Sequence, residues 1–191
     1  EGITHPERVI GLHFFNPVSR MKLVEIITTE FTTPEVVERA LAFVRALGKT
    51  PVVVKDSPGF LVNRILMPYL IEAGRLAESG VPVAKIDESM LDFGMPMGPL
   101  RLLDEIGLDV ATHVADTMVG AFGERFAPPL LLADLVRAGH LGKKSGRGFY
   151  RHNHGKAAPD SFAKAPRDLP DKTQIAIRLN QLMAEESKRC L

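Results

Sequence analysis

Two residues near the start of the chain are of types that move protons together. His13 stands in Gly-Leu-His-Phe-Phe-Asn-Pro and Glu25 in Lys-Leu-Val-Glu-Ile-Ile. If these two segments form an antiparallel pair that turns near Ser19, positions 13 and 25 face each other, with Cβ atoms about 4.5–5.5 Å apart. An imidazole and a carboxylate at that separation share a hydrogen bond. The carboxylate then fixes one tautomer and favours the protonated ring, leaving the other nitrogen to take a proton as a general base. The same spacing equally serves a structural His–Glu pair at a sheet edge, and spacing alone does not choose between them.

The surrounding elements follow from periodicity and punctuation. Arg8 to Phe15 predicts a strand in which Ile10, Leu12 and Phe14 alternate with Val9, Gly11, His13 and Phe15, stopped by Asn16-Pro17. Lys22 to Thr28 predicts a second strand with Leu23, Glu25 and Ile27 on one face. Thr33-Pro34-Glu35 is a helix start, with a hydroxyl cap, a proline in the first turn and a carboxylate near the positive end. Val36, Val37, Ala40, Leu41, Val44 and Leu47 stripe that helix, and Gly48 ends it. Val52, Val53 and Val54 predict a short buried strand. Together these are the tail of an α/β sheet, too small to stand as a domain.

Everything after this is helical. Ser57-Pro58 predicts the start of a long helix running to about Ser79, kinked at Pro68, which lacks an amide donor. Helices follow at Val83 to Phe93, Pro99 to Ile106, Leu108 to Ala121 and Pro129 to Ala138. Gly139, Gly142, Gly146 and Gly148 lead into Phe149-Tyr150. Residues 151–170, rich in His, Asn, Ala and Pro, predict a linker. Asp171 to Gln174 reads as a capping box for a last helix. Shifting residues 178–191 back by 114 lays Arg178, Glu186 and Arg189 on Arg64, Glu72 and Arg75, a faint internal repeat.

Composition narrows the class. Apolar residues at 45% suffice for a core, and 25% charged residues with a net charge of +1 argue against a nucleic-acid surface. The apolar run Ile65 to Ile71 is far too short to span a bilayer. Cys190 is the only cysteine, so a reducing compartment fits best. Both ends read as cut: Glu1 leads quickly into a strand, and Leu191 closes inside a helical pattern without a cap.

His13-Phe14-Phe15-Asn16-Pro17, the Leu23-Val24-Glu25 strand, Asp56 to Arg64 (Asp-Ser-Pro-Gly-Phe-Leu-Val-Asn-Arg) and Pro96-Met97-Gly98-Pro99 resemble the 3-hydroxyacyl-CoA dehydrogenase family in order and spacing. The likeness covers roughly residues 8 to 150. The linker and restarted helix are similar to the multifunctional fatty-acid oxidation alpha-subunit type, whose enoyl-CoA hydratase region has no counterpart in these residues. On this reading, residues 1–56 are the C-terminal part of a Rossmann-type NAD-binding domain and 57–150 the all-α C-terminal dehydrogenase domain. Residues 151–170 are a linker, and 171–191 begin a second helical repeat.

The resemblance implies NAD-dependent oxidation of (3S)-3-hydroxyacyl-CoA to 3-oxoacyl-CoA in fatty-acid β-oxidation, at a cleft between sheet and helices. It makes His13 the catalytic base and Glu25 its orienting carboxylate. Asn16 would lie beside the nicotinamide half of the cofactor, Asn63 would hydrogen-bond the substrate, and Lys144 would return toward the cofactor. For Asn63 the residues alone also allow capping-region solvation in a helix's first turn. For Lys143 and Lys144 they favour a solvated loop. Further implications are a homo-oligomer, a thiolase subunit as partner in the larger protein, and a cytoplasmic location, or a mitochondrial or peroxisomal one in a eukaryote.

Some expected features are missing. No Gly-x-Gly-x-x-Gly occurs, so the sequence shows no pyrophosphate cradle. Gly142-Lys143-Lys144 is no P-loop, because Lys144 stands where Ser or Thr would hold magnesium. The family's assisting serine upstream of the catalytic strand has no match in residues 1–7. His152 and His154 read as solvated rather than metal-binding, and Met95 and Met97 as core rather than acyl pocket. Phe60 argues against a related family with a Lys-x-x-Asn base, since it stands where that lysine would be. Against the enzyme reading stands a non-catalytic dimerisation or acyl-CoA-binding module, and nucleotide binding by this chain discriminates the two.

Overall fold

The computed structural model describes residues 3–153, 155–163, 165 and 167–190; His154 and the two end residues, Glu1 and Leu191, lie outside them. The chain divides after Val62 into two compact units, each with its own core.

In the first unit β1 (Gly11–Phe14) pairs antiparallel with β2 (Leu23–Thr28), which pairs parallel with β3 (Thr50–Lys55), giving the order β1-β2-β3. The strand expected from Arg8 is shorter, because Pro6–Arg8 forms a 3-10 turn closed by the Arg8 N–H on the His5 carbonyl. Helix α1 (Pro34–Ala46) crosses from β2 to β3. Its expected hydroxyl cap is absent: Thr33 instead donates to the Glu7 carbonyl. Alternate residues of a strand go to opposite faces. Val24 and Ile26, with Leu12 and Phe14 opposite them, pack on Ala40 and Val44 of α1. The intervening residues, His13 and Glu25 among them, therefore lie on the other face. β3 is an outer strand, so only Val54 of the expected buried run is covered and Val53 stays 45% exposed.

Helix α2 (Val62–Glu78) begins later than Ser57-Pro58 predicts. Gly59 and Phe60 take positive φ values of 73° and 46°, and the Phe60 N–H closes a turn on the Ser57 carbonyl before the helix starts. The helix continues through Pro68. In the second unit α3 (Val83–Phe93), α4 (Pro99–Ile106), α5 (Leu108–Phe122) and α6 (Leu130–Arg137) follow within a residue of the bounds that periodicity predicts. Their core includes Tyr69, Leu70, Ile86, Met90, Leu100, Leu108, Met118 and Phe126.

Residues 151–170 differ from the expected linker. They open with an antiparallel hairpin, β4 (Tyr150–Asn153) and β5 (Lys156–Pro159). Strands this short show no readable alternation. Arg147 and Arg151 both hold Asp160 after the hairpin, and Phe162 meets Phe149 edge-on at 5.6 Å. Helix α7 (Lys172–Cys190) starts with the expected capping box: the Gln174 N–H donates to Asp171 Oδ1 and the Asp171 N–H to Gln174 Oε1. Ile175, Ala176 and Leu179 bury it in the same core.

The faint repeat has a physical counterpart. Arg64 of α2 pairs with Glu186 of α7 at 2.9 Å, and Arg178 of α7 pairs reciprocally with Glu72 of α2. Within each helix the third member repeats as well, with Arg75 on Glu72 and Arg189 on Glu186. Burial pushes the Glu186 carboxyl up, but the guanidinium groups of Arg125 and Arg64 outweigh that and hold it below the usual range.

Candidate active site

β1 and β2 meet in a register that sets His13 directly opposite Glu25. The imidazole Nδ1 lies 2.8 Å from Glu25 Oε2. Glu25 is fully buried, whereas the His13 side chain keeps 32% of its exposure. The second carboxylate oxygen, Oε1, accepts the N–H groups of Leu61 (3.0 Å) and Val62 (2.9 Å). These are donors at the start of α2 that have no partner inside the helix. Three donors thus converge on one buried carboxylate, the arrangement a charge needs inside a protein. An ionised carboxylate only accepts, so the ring hydrogen sits on Nδ1. In the neutral ring Nε2 is then the free acceptor, which suits a general base whose orientation is fixed from behind.

Packing restrains the pair further. The imidazole centroid lies 4.7 Å from that of Phe15 and 5.6 Å from that of Phe60. Lys49 Nζ donates to the carbonyls of Val18 (2.7 Å) and Met21 (2.8 Å), tying down the β1–β2 connection. Asn16 is exposed at the end of β1, before a cis peptide bond to Pro17. Sequence reasoning missed the Leu61 and Val62 amides, which carry no residue-type signal. It counted Phe60 as part of the Asp56 to Arg64 motif and as a departure from another family's lysine, and gave it no role at the site.

The remaining expected site residues belong to the second unit. Asn63 is half-buried in the first turn of α2. Lys144 Nζ lies 2.7 Å from Asp109 Oδ2, and that hydrogen bond holds the Asp109 carboxyl below its usual range. Lys143 is paired with Glu105 at 2.8 Å. Both lysines of the turn are therefore engaged with carboxylates.

Two buried aspartates in this unit are structural. Asp87 accepts the Leu100 and Arg101 N–H groups at the start of α4 and the Tyr150 hydroxyl at 2.7 Å. Burial pushes the Asp87 carboxyl up despite these donors, and burial with the Asp87 charge pushes the Tyr150 hydroxyl up. Asp104 accepts the N–H groups of Phe149 and Tyr150 and pairs with His152 Nε2 at 2.7 Å. His152 is thus a half-buried partner of Asp104, not the solvated residue expected. A Cβ at Gly98 would sit 2.2 Å from Asp87 Cγ, and one at Gly148 2.1 Å from Asp104 Oδ1. Close approach, not catalysis, explains both glycines. Among the described residues no helix is long and apolar enough to cross a membrane.

Residues 1–57 match the family described as 3-hydroxyacyl-CoA dehydrogenase, NAD binding domain, and residues 59–152 match 3-hydroxyacyl-CoA dehydrogenase, C-terminal domain. The fatty acid oxidation complex subunit alpha of Vibrio parahaemolyticus is 41% identical over the whole chain, which spans 28% of that relative's length. The solved structure of 3-hydroxybutyryl-CoA dehydrogenase from Escherichia coli K12 is 46% identical, with a TM-score of 0.76 over 82% of this chain and 34% of that one. (S)-3-hydroxybutyryl-CoA dehydrogenase from Ralstonia eutropha is 42% identical, with a TM-score of 0.75 over 78% of this chain and 54% of that one.

Proposed function

Because the chain belongs to the 3-hydroxyacyl-CoA dehydrogenase family, we propose that it supplies the base of an enzyme oxidising (3S)-3-hydroxyacyl-CoA to 3-oxoacyl-CoA in fatty-acid β-oxidation. The observation that carries this reading is the 2.8 Å contact between His13 Nδ1 and the buried Glu25 carboxylate. His13 Nε2 takes the proton of the 3-hydroxyl as the C3–O bond becomes a carbonyl. Glu25 keeps Nδ1 protonated throughout and steadies the imidazolium that results; it need not accept the proton itself. NAD, when bound, supplies the acceptor for the hydride that leaves C3. Asn16, exposed at the end of β1, faces the nicotinamide half in this reading, and Asn63 binds the substrate. Lys144, paired with Asp109 in this structure, is a cation that would return toward the cofactor.

The residues present fit the reactive end of such a cofactor and not its pyrophosphate. The turn from β2 to α1, residues 29–33, is Thr-Glu-Phe-Thr-Thr, with a carboxylate and no glycine, unlike the glycine-rich turn that cradles a pyrophosphate. At the turn from β3 to α2 the first amides are already taken by Glu25. Gripping the phosphates therefore calls for residues beyond this chain. In the longer protein a cytoplasmic homo-oligomer joined to a thiolase subunit completes the proposal.

The test is His13→Ala in the longer protein, with turnover and acyl-CoA affinity both measured. Turnover falls roughly 10²–10⁴-fold, the usual share of a general base, with affinity unchanged. Near-normal turnover removes His13 from the mechanism. Titrating the longer protein with NAD and with 3-hydroxyacyl-CoA separates the proposal, which requires both to bind, from a simple acyl-CoA-binding module, which takes only the second.

A further inference from the structure

We propose that Phe60 is a positioning residue for His13, steadying the imidazole with its ring and the Glu25 carboxylate with its backbone. Two observations meet at this one residue. The first is contact: the Phe60 ring lies 5.6 Å from the imidazole, tilted by 51°, on a histidine that already has Phe15 at 4.7 Å and Glu25 on Nδ1. A hydrogen bond at one ring nitrogen leaves the imidazole free to swing about its side-chain bonds. Two aromatic neighbours within packing distance restrict that swing. The remaining exposure of the histidine, 32%, leaves it accessible to a reactant.

The second observation is conformational. Phe60 is the only residue other than glycine with positive φ among the described residues, at 46°. A bulky side chain avoids this region, and glycine would enter it freely. Its geometry explains why the chain turns here. Gly59 and Phe60 are consecutive left-handed residues between β3 and α2, and the two amides that follow, Leu61 and Val62, are those that reach Glu25 Oε1. Strain of this kind persists where surrounding contacts over-determine it, and it gathers at functional sites. Phe60 accepts the strained backbone that directs amides to the carboxylate, while its ring contacts the base that the same carboxylate orients. This deepens the reading above, since His13's role as base rests on it; the placement of the imidazole does not.

Three substitutions separate ring from backbone. Phe60→Leu keeps apolar bulk and the left-handed demand but removes the aromatic ring. Phe60→Gly removes the ring and relieves the backbone. Phe60→Tyr keeps both. The first readout is the His13 tautomer in this chain, from ¹⁵N chemical shifts of Nδ1 and Nε2. The second is kcat and KM in the longer protein. Wild type and Phe60→Tyr hold a single Nδ1–H tautomer. Phe60→Leu and Phe60→Gly give an exchanging mixture, with kcat roughly tenfold lower and KM within about twofold, the signature of a misplaced base. A single Nδ1–H tautomer with wild-type kcat in both Leu and Gly variants overturns the proposal. So does a loss of kcat that only follows loss of folded protein while the tautomer stays single. A mixed tautomer in Phe60→Leu, alongside a longer protein inactive even as wild type, upholds the positioning role and refutes the dehydrogenase reading.

Discussion

Replacing Glu25 tests the site at its most constrained atom pair, and two substitutions there act in opposite ways. Glu25→Ala removes three acceptor contacts at once: His13 Nδ1 at 2.8 Å, Leu61 N–H at 3.0 Å and Val62 N–H at 2.9 Å. Each orphaned buried donor costs about 1–3 kcal/mol. Water reaching the partly exposed His13 softens one of the three, and removal of a buried charge offsets some of the rest. The net loss is about 3–5 kcal/mol, the range for breaking a buried pair, and it falls on the first unit. Glu25→Gln keeps one carbonyl oxygen for the two amides but turns an NH2 group toward His13. Nδ1 must then accept, so the ring hydrogen moves to Nε2 and the base is lost while the fold remains. Turnover of the longer protein should drop by about 10²–10⁴-fold, from a general base's usual share to the full cost of a wrong tautomer. The assay pairs ¹⁵N shifts of His13 in this chain with kcat in the longer protein. Retention of the Nδ1–H tautomer and of normal turnover in Glu25→Gln would refute the orientation argument.

Three further outcomes follow from the second unit. Gly98→Ala should lower the urea midpoint by an amount worth about 1–3 kcal/mol, because its Cβ would meet Asp87 Cγ at 2.2 Å and the Asp87 backbone at 2.7 Å; a midpoint unchanged from wild type would show that α3 and α4 can part at no cost. Asp160, held by Arg151 and then Arg147, has its carboxyl lowered to about 2, below the unfolded value. Its pairing therefore stabilises above about pH 4 and fades as pH falls through 2. The melting-temperature gap between wild type and Asp160→Asn should accordingly close over that window, and a gap independent of pH would count against the pairing. Asn63→Ala should weaken substrate binding in the longer protein with a stability change under about 1 kcal/mol; a collapsed melting temperature with binding intact would make Asn63 structural.

Much of the architecture was legible because it is set locally. The His13–Glu25 register depends on two short strands and the turn between them, and alternation with period two leaves one solution that buries Val24 and Ile26. The helices from Val83 to Arg137 announce themselves by apolar stripes and glycine stops, and the Asp171–Gln174 box closes within four residues. The shift of 114 residues hinted at a repeat, but chemistry of type alone could not say that Arg64 would reach Glu186 and Arg178 reach Glu72.

Where the reading stopped, the reason is distance or the backbone. Glu25 finds its other two donors in the amides of Leu61 and Val62, far along the chain, and amides look alike in any sequence. The left-handed turn at Gly59-Phe60, which delays α2 to Val62, cannot be read from a phenylalanine, a residue that seldom adopts it. The hairpin in 150–159 has strands of four residues, below the length at which alternation shows, and Asp160 helps anchor it only once Arg147 and Arg151 are brought to it. Gly98 and Gly148 are legible as glycines but not as the places where Asp87 and Asp104 press close. The sequence by itself determined the pair of groups that can move a proton and the strands that present them. The tertiary structure alone decided which nitrogen carries the hydrogen, because that depends on a carboxylate held from behind by amides no residue type reveals.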